Sequence, residues 1–279
     1  QWTQILEAAQ SAAPMTLRVN QQHDTVAGYL DALQVQGIAG KAITTAGVPS
    51  GVQLEKAVPV HQLPGFAQGH VSVQDAAAQW AAPLLLNGLK ATGTALRLLD
   101  ACAAPGGKTM QLAAAGWQVT ALDAGAKRLQ RMKENLARTG LGATLVQADA
   151  LQWQPDAQFD AVLLDAPCTA TGTCRRHPDV LHRIGHRQIA ELAELQARLL
   201  ERARAWVKPG GRLVYATCSL ERAEGEDQAA LVGLSTDPIR AEELPAGLVP
   251  TDQGWLRTDP AMLPDAGGLD GFFIARWRA

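Results

Sequence analysis

Apolar and polar positions along the chain fall into two regimes that meet near Gly69. In the first, Trp2 to Ala13 has helical spacing and is stopped by Pro14. Met15 to Asn20 then alternates, with Leu17 and Val19 on one face, which is the period of a half-buried strand. Asp24 can cap a helix running to about Gln36, with Gly37 as its stop. Short apolar pieces separated by Gly and Pro follow, as in Gly47-Val48-Pro49-Ser50-Gly51, and predict strands joined by turns. Residues 1–69 therefore read as a small α+β domain.

From residue 70 the pattern changes. Val71 to Asn87 predicts a helix leading into a larger domain, 70–279, in which strands and helices alternate. Strands are expected at Leu96–Ala101, Gln118–Asp123, Ala143–Gln147, Phe159–Asp165 and Gly211–Thr217. Helices are expected at Gly106–Ala115, Ala126–Thr139 (stopped by Gly140), Gln188–Val207 and Glu224–Leu234. Such alternation argues an α/β fold with a mostly parallel sheet covered by helices on both faces. A last apolar run, Gly271 to Trp277, has no helix after it and suits an antiparallel edge strand.

Composition narrows the setting. The Ala-rich run around Trp80 is broken by Pro83 and Asn87, well short of a membrane span, and no signal peptide is visible. Four cysteines at irregular spacing in 279 residues make no disulfide framework, so free thiols and a cytoplasmic location are expected. The chain starts at Gln1 rather than Met, as a piece of something longer would. The net charge of −2 hides an asymmetry. Arg175, Arg176, Arg183 and Arg187 face one acid, Asp179, in a segment that also holds His177, His182 and His186. A basic loop of this kind suits a polyanionic partner.

The chemistry gathers at strand ends. The first strand of the larger domain ends at Asp100 and opens into Cys102-Ala103-Ala104-Pro105-Gly106-Gly107-Lys108-Thr109. Paired glycines let backbone approach a ligand, and the amides of the helix that follows attract an anionic group. The next two strands lead to Asp123, placed for ribose hydroxyls, and Asp149, placed for an adenine amino group. Neither the G-x-x-x-x-G-K-[ST] phosphate loop nor G-x-G-x-x-G is present. S-adenosylmethionine is therefore the expected cofactor, ahead of ATP or NAD, and no metal is expected.

Two further strands end beside cysteines, in Asp165-Ala166-Pro167-Cys168 and Ala216-Thr217-Cys218-Ser219. Cys102 lies within a strand end, where a cysteine is most often a small core residue, whereas Cys168 and Cys218 fall in turns facing the crevice. A thiolate adds to C6 of a pyrimidine and turns C5 into a carbon nucleophile that can take a methyl group from a sulfonium donor. A second thiol can supply the base that removes the C5 proton. Asp165 is placed to bond N3 and N4 of cytosine, with Lys108 holding that acid ionised.

These segments, together with Thr169-Ala170-Thr171-Gly172, Arg175-Arg176-His177-Pro178-Asp179 and Asp270-Gly271-Phe272-Phe273, resemble the RNA cytosine-C5 methyltransferases of the NOL1/NOP2/Sun family, and within it the bacterial small-subunit ribosomal enzymes. The resemblance runs from about Trp2 to the C-terminus. It implies a Rossmann-like S-adenosylmethionine-dependent methyltransferase domain, with Cys218 as nucleophile and Cys168 assisting product release. Donor contacts then fall on Cys102, Ala103, Ala104, Pro105, Gly106, Gly107, Lys108, Asp123, Asp149 and Asp165, and RNA contacts on Arg175, Arg176 and His177. It further implies a monomer acting on 16S rRNA, at cytosine 967, with neither DNA nor membrane as partner.

Three departures stand out. The family's all-helical NusB-like N-terminal domain is not in this sequence, Asp123 is followed by the small pair Ala124-Gly125, and Cys174 is an extra thiol near the site. Four other readings compete. A DNA cytosine methyltransferase would use the Pro-Cys cysteine, but Thr217-Cys218 and the lack of a Glu-Asn-Val segment oppose it. A zinc module on Cys168, Cys174, His177 and His182 lacks the usual paired spacing. The remaining two are an enzyme acting on another RNA, such as tRNA, and a non-catalytic RNA-binding module.

Overall fold

The computed structural model describes residues 2–10, 12–43, 50–89 and 96–279. Gly47, Val48 and Pro49 of the expected turn lie outside the described residues. The N-terminal part contains helix α1 (Trp2–Ala9), strand β1 (Thr16–Val19), helix α2 (Val26–Val35) and strands β2 (Gly40–Ala42), β3 (Gly51–Leu54) and β4 (Val71–Val73). The strands form an antiparallel sheet in the order β2-β3-β1-β4. Leu17, Val19, Val52, Leu54 and Val71 from this sheet close over Tyr29 and Leu33 of α2 in a small core.

The rest contains α3 (Ala81–Leu86), β5 (Arg97–Ala101), α4 (Gly107–Ala114), β6 (Gln118–Asp123), α5 (Ala126–Thr139), β7 (Thr144–Gln147) and β8 (Phe159–Asp165). It continues with α6 (Val180–Arg183), α7 (His186–Trp206), β9 (Val207–Thr217), α8 (Glu226–Ala229), β10 (Ser235–Thr236), β11 (Leu256–Thr258) and β12 (Phe272–Arg278). The large sheet runs β10-β12-β9-β8-β5-β6-β7, with β11 also on β12. Strands β9, β8, β5, β6 and β7 are mutually parallel, and β12 is antiparallel to β9. Central strands covered on both faces must be apolar throughout, and Leu98, Leu99, Ala161 through Leu164 and Leu213 through Ala216 are all fully buried. Trp80, Leu84 and Leu85 cover one face, and Leu199, Leu200, Ala203 and Trp206 of α7 the other. Among the described residues no helix is long and apolar enough to cross a membrane.

Several elements differ from the sequence expectation. Val71 to Asn87 is not one helix: Val71-Ser72-Val73 pairs with Leu17-Arg18-Val19, a 3-10 turn spans Ala77–Gln79, and α3 begins only at Ala81. Pro83 has no N–H and is tolerated in the first turn of a helix, so it fixes the start of α3 there. The small sheet thus extends past Gly69. Helix α1 ends at Ala9 rather than Ala13. Thr25, not Asp24, caps α2, accepting from Gly28 N at 3.1 Å. The expected helix from Glu224 to Leu234 shrinks to α8, because Gly225 takes a non-helical conformation (φ −120°, ψ −94°). Strand β12 is antiparallel as expected but is no edge, since β10 and β11 pair with its free side.

Side chain to backbone bonds fasten the small sheet to the larger part. Asn20 Nδ2 donates to Gly69 O (3.2 Å) and Thr139 O (3.0 Å), and Arg138 of α5 donates back to Phe66 O (2.6 Å) and Val71 O (3.1 Å). Arg18, buried in β1, donates to Gly107 O at the start of α4 at 2.5 Å.

Candidate active site

Parallel strands place their carboxyl ends along one edge of the sheet, where ligands of open α/β folds bind. Here that edge collects the residues after β5, β6, β8 and β9. The turn after β5 is tight. Cys102 has φ 60°, and Gly106, the residue before α4, has φ 101°. A Cβ on Gly106 would lie 2.7 Å from Met132 Cγ, so both conformation and space require glycine. Asp123 is buried and already holds the turn: Ala104 N donates to one oxygen (3.1 Å), and Gly125 N to the other (2.8 Å), which also meets Arg128 at 2.8 Å. Asp149 is exposed and accepts from Leu151 N at 2.9 Å.

Asp100 is fully buried. Its Oδ2 accepts from Thr109 Oγ1 at 2.6 Å, whereas Oδ1 has no partner. Burial, with help from the nearby Asp165 and Asp123 charges, pushes its carboxyl up to about 7. Cys102 is pushed up to about 12 by burial and by Asp123, Asp165 and Asp100, which makes it an inert thiol.

Next to this turn, Lys108 Nζ donates to Asp165 Oδ2 at 2.7 Å, and also lies 5.1 Å from the centroid of the Phe272 ring. Burial lowers the pKa of the Lys108 ammonium, but the charge of Asp165 and its hydrogen bond outweigh this, leaving it raised.

Cys168 and Cys218 face each other with their sulfurs 3.5 Å apart. Both are partly buried and neither is in a disulfide. They are not equivalent. Cys218 falls below the usual thiol range, chiefly because Cys168 donates a hydrogen bond to it; Lys108 helps, while burial, Asp165 and Asp270 oppose. Cys168 rises well above that range through the same bond, burial and the charges of Cys218 and Glu224. One thiol is set up to lose its proton and the other to keep it.

Beneath the pair, Glu224 is buried and was not among the residues singled out from sequence. Its carboxylate accepts from Thr169 N (3.0 Å), Thr169 Oγ1, Gln196 Nε2 (2.9 Å) and Ser219 Oγ (2.5 Å). The only sequence signal was a Glu five residues after Ser219. A backbone contact also supports Cys218: Gly172 N donates to Cys218 O (3.0 Å), and Gly271 N to Gly172 O (2.8 Å). A Cβ on Gly172 would come within 1.9 Å of Gly271 O.

The basic segment departs from expectation. Arg175 is not presented to a partner: its side chain is 4% exposed and ties Asp75 and Asp270 together at 3.4 Å each, with a further bond to Gly267 O at 2.8 Å. An arginine beside two desolvated carboxylates is held inside, because leaving either acid unpaired is costly. Arg176 is 43% exposed and pairs with Asp270 at 2.5 Å, while His177, Arg183 and Arg187 are exposed. Cys174 is a core residue packed with Ile5 and Val180.

Comparison with known proteins adds two family models. One, described as 16S rRNA methyltransferase RsmB/F, matches residues 89–278; the other, an RsmF/B-like ferredoxin-like domain, matches residues 1–61. Ribosomal RNA small subunit methyltransferase B of Salmonella paratyphi B is 43% identical over 281 aligned residues, covering 99% of this chain and 62% of the relative. The protein of the same name from Salmonella typhi matches to the same extent. The chain thus spans somewhat over half the length of the curated relatives it matches. Among solved structures, a methyltransferase homolog protein from Pyrococcus horikoshii superposes with a TM-score of 0.80 at 29% identity, over 99% of this chain and 89% of that one. NSun6 from Pyrococcus horikoshii with SFG has a TM-score of 0.83 at 19% identity, over 99% and 93% of the two chains, a likeness of fold.

Proposed function

Since the chain belongs to the RsmB/F family of 16S rRNA methyltransferases, we propose that it methylates C5 of a cytosine in small-subunit ribosomal RNA through a covalent bond between Cys218 and C6 of the base. The observation that carries this reading is the thiol pair, 3.5 Å apart, at the strand ends beside the Lys108–Asp165 ion pair.

S-adenosylmethionine supplies the electrophilic methyl group that C5 takes up. Residues present suit such a ligand, which carries cationic sulfonium and ammonium groups: the Asp100 oxygen left without a partner, the carboxylates of Asp123 and Asp165, and the Cys102–Lys108 turn, which Gly106 keeps open to close backbone approach. Asp149, exposed beyond β7, is free to meet an adenine.

On the RNA side, Cys218 as thiolate attacks C6. The Sγ–C6 bond forms and the electron pair of the 5,6 double bond moves to C5 and into the ring. Asp165 gives one oxygen to Lys108 and keeps the other to accept from the N4 amino group of the base, while the Lys108 ammonium offsets the negative charge that the ring takes up on addition. After methylation, the C5 proton leaves to water by way of Cys168, which gives up its own thiol proton as it takes the one from C5 and so ends as a thiol again. The electrons left behind restore the 5,6 double bond and expel Cys218 as thiolate.

In this scheme residues 1–69, together with strand β4 (Val71–Val73), act as an accessory RNA-binding domain on the catalytic remainder of the chain, in a cytoplasmic monomer. RNA contacts fall on Arg176, His177, Arg183 and Arg187, with Arg175 acting as the internal tie. The target is a single unpaired or flipped-out cytosine, position 967 in the family resembled.

Two single substitutions, assayed with labelled donor and RNA, test the reading. Cys218→Ala is expected to abolish both methylation and the RNA-linked adduct, whereas Cys168→Ala is expected to accumulate the adduct. Exchange of these two outcomes would reverse the assignment of the nucleophile, and absence of adduct in every form would reject the covalent route.

A further inference from the structure

Glu224 is fully buried, and among the described residues no Lys or Arg pairs with it. Four donors surround it instead, and they come from three places. Thr169 N and Oγ1 belong to the turn that follows Cys168, Ser219 Oγ to the turn that follows Cys218, and Gln196 Nε2 to the middle of α7. Gln196 is itself fully buried and also donates to Pro167 O at 2.8 Å, directly before Cys168. The backbone of Glu224 extends the same pattern, since its carbonyl accepts from Tyr215 Oη (2.6 Å) and Thr217 Oγ1 (3.4 Å), just before Cys218.

We infer that Glu224 is a positioning residue for the thiol pair: its carboxylate ties the turn carrying Cys168 to the turn carrying Cys218, holds the sulfurs in contact, and gives them unlike electrostatic surroundings. This deepens the reading above and rests on it for its consequence in catalysis, but not for its chemistry.

A carboxylate accepts up to about four hydrogen bonds, so one residue can fix two turns that the chain brings together from positions fifty residues apart. Donor count also matters electrically. Four N–H and O–H dipoles stabilise the carboxylate without neutralising it, so its charge is felt by the titratable groups around it. These are Cys168, which also faces Cys218 and the Tyr215 hydroxyl, together with Tyr215 itself and Glu221. Cys218 faces Cys168, Asp165, Lys108 and Asp270, with Arg176 close enough to respond to its charge. The two acids that face Cys218 are thus accompanied by the Lys108 ammonium, whereas the Glu224 carboxylate beside Cys168 has no Lys or Arg partner among the described residues. An anion beside a thiol opposes its ionisation, so Glu224 keeps the proton on Cys168 and leaves Cys218 as the thiolate.

Site-resolved alkylation of the intact 279-residue chain by iodoacetamide, followed by mass spectrometry across pH, tests this without donor or RNA. In wild type, Cys218 is expected to react at lower pH than Cys168. Glu224→Gln keeps the shape and removes the charge, and it turns one acceptor oxygen into a donor NH2 that the Thr169 and Ser219 hydroxyls can meet by rotating to accept. It should bring the Cys168 midpoint down and cut the Cys218-to-Cys168 reactivity ratio at neutral pH about tenfold, the effect of one pH unit in a thiol midpoint. Glu224→Asp keeps the charge and should restore most of the ratio. In methylation, Glu224→Gln should lower kcat and leave KM for RNA unchanged.

Should Glu224→Gln fail to fold by circular dichroism, Ser219→Ala serves. It leaves the charge but frees the Cys218 turn, so the Cys218 midpoint should rise as it loses its bond from Cys168. A folded Glu224→Gln protein with both midpoints and the ratio unchanged overturns the inference, as does an unchanged Cys218 midpoint in Ser219→Ala. Either result leaves the covalent mechanism standing, whereas a wild-type protein that forms no adduct with RNA rejects that mechanism and not the tie between the turns.

Discussion

Asp100→Asn removes a carboxyl group that the fold buries completely at the carboxyl end of β5 and leaves with one oxygen unpartnered. Burial raises this carboxyl from the ordinary 3.8 to about 7, so the folded protein holds the proton more tightly than the unfolded chain does. A group of this sign contributes stability that is fully present below about pH 4 and is lost as pH rises through about 7. The separation is about three pH units, and at roughly 1.4 kcal/mol per unit the loss amounts to ~4 kcal/mol by pH 8. Asparagine cannot ionise, and its amide oxygen can still accept from Thr109. The variant should therefore be equal to wild type, or weaker by ~1 kcal/mol for an unpaired amide N–H, near pH 4. Above pH 7 it should be the more stable protein by several kcal/mol.

Urea unfolding of both proteins, followed by tryptophan fluorescence at about pH 4.5, about pH 6 and about pH 8, gives the difference at each pH free of the other titrating groups. A difference that stays constant across this range would refute the reasoning. The same variant should bind S-adenosylmethionine more weakly, since an acid that the fold carries at a loss and that a cationic ligand satisfies is a common origin of opposed stability and function.

Other perturbations follow from the same geometry. Lys108→Met removes the cation that favours the Cys218 thiolate, so the pH midpoint for alkylation of Cys218 should move up while Cys102 stays unreactive; a midpoint that falls would contradict the assignment. Arg175→Met strands Asp75, while Asp270 keeps Arg176, and should cost about 3–5 kcal/mol in chemical unfolding, with no change in the salt slope of RNA binding measured on protein that remains folded. Arg183→Gln with Arg187→Gln should do the reverse, leaving stability within ~1 kcal/mol and flattening the salt slope by roughly 0.7 for each phosphate that is no longer neutralised. Gly172→Ala places a methyl group against the Gly271 carbonyl and should both destabilise the fold, by ~1–3 kcal/mol or more, and slow alkylation of Cys218, whose carbonyl Gly172 holds.

Elements with strong local signals were legible in the sequence. Strands β6 and β8 and helix α5 begin and end where apolar period and punctuation place them, with Gly140 closing α5 at φ 66°. The strand-end turns with Cys168 and Cys218 could be found because a parallel sheet gathers its carboxyl ends on one edge. What escaped depended on long-range pairing. Val71-Ser72-Val73 reads as helical beside Ala76 to Leu86 until Leu17 to Val19 is there to pair with it. Arg175 reads as a surface charge in an arginine-rich stretch, yet its partners are 100 and 95 residues away in sequence. Glu224 carries no motif at all by spacing, because its role comes from donors on three separate segments.

The bonds that cross between the two sheets bear on how a target is chosen. Asn20 donates to the carbonyls of Gly69 and Thr139, Arg138 to those of Phe66 and Val71, and Arg18 grips the first carbonyl of the helix that begins at the cofactor turn. Carbonyl acceptors belong to the main chain and cannot swing aside as side chains do, so these ties leave little play. If the small sheet holds the nucleic acid, as proposed above, the base is presented to the sulfurs at a set reach, and the molecule would work as a ruler that admits a base by its distance from the anchoring point.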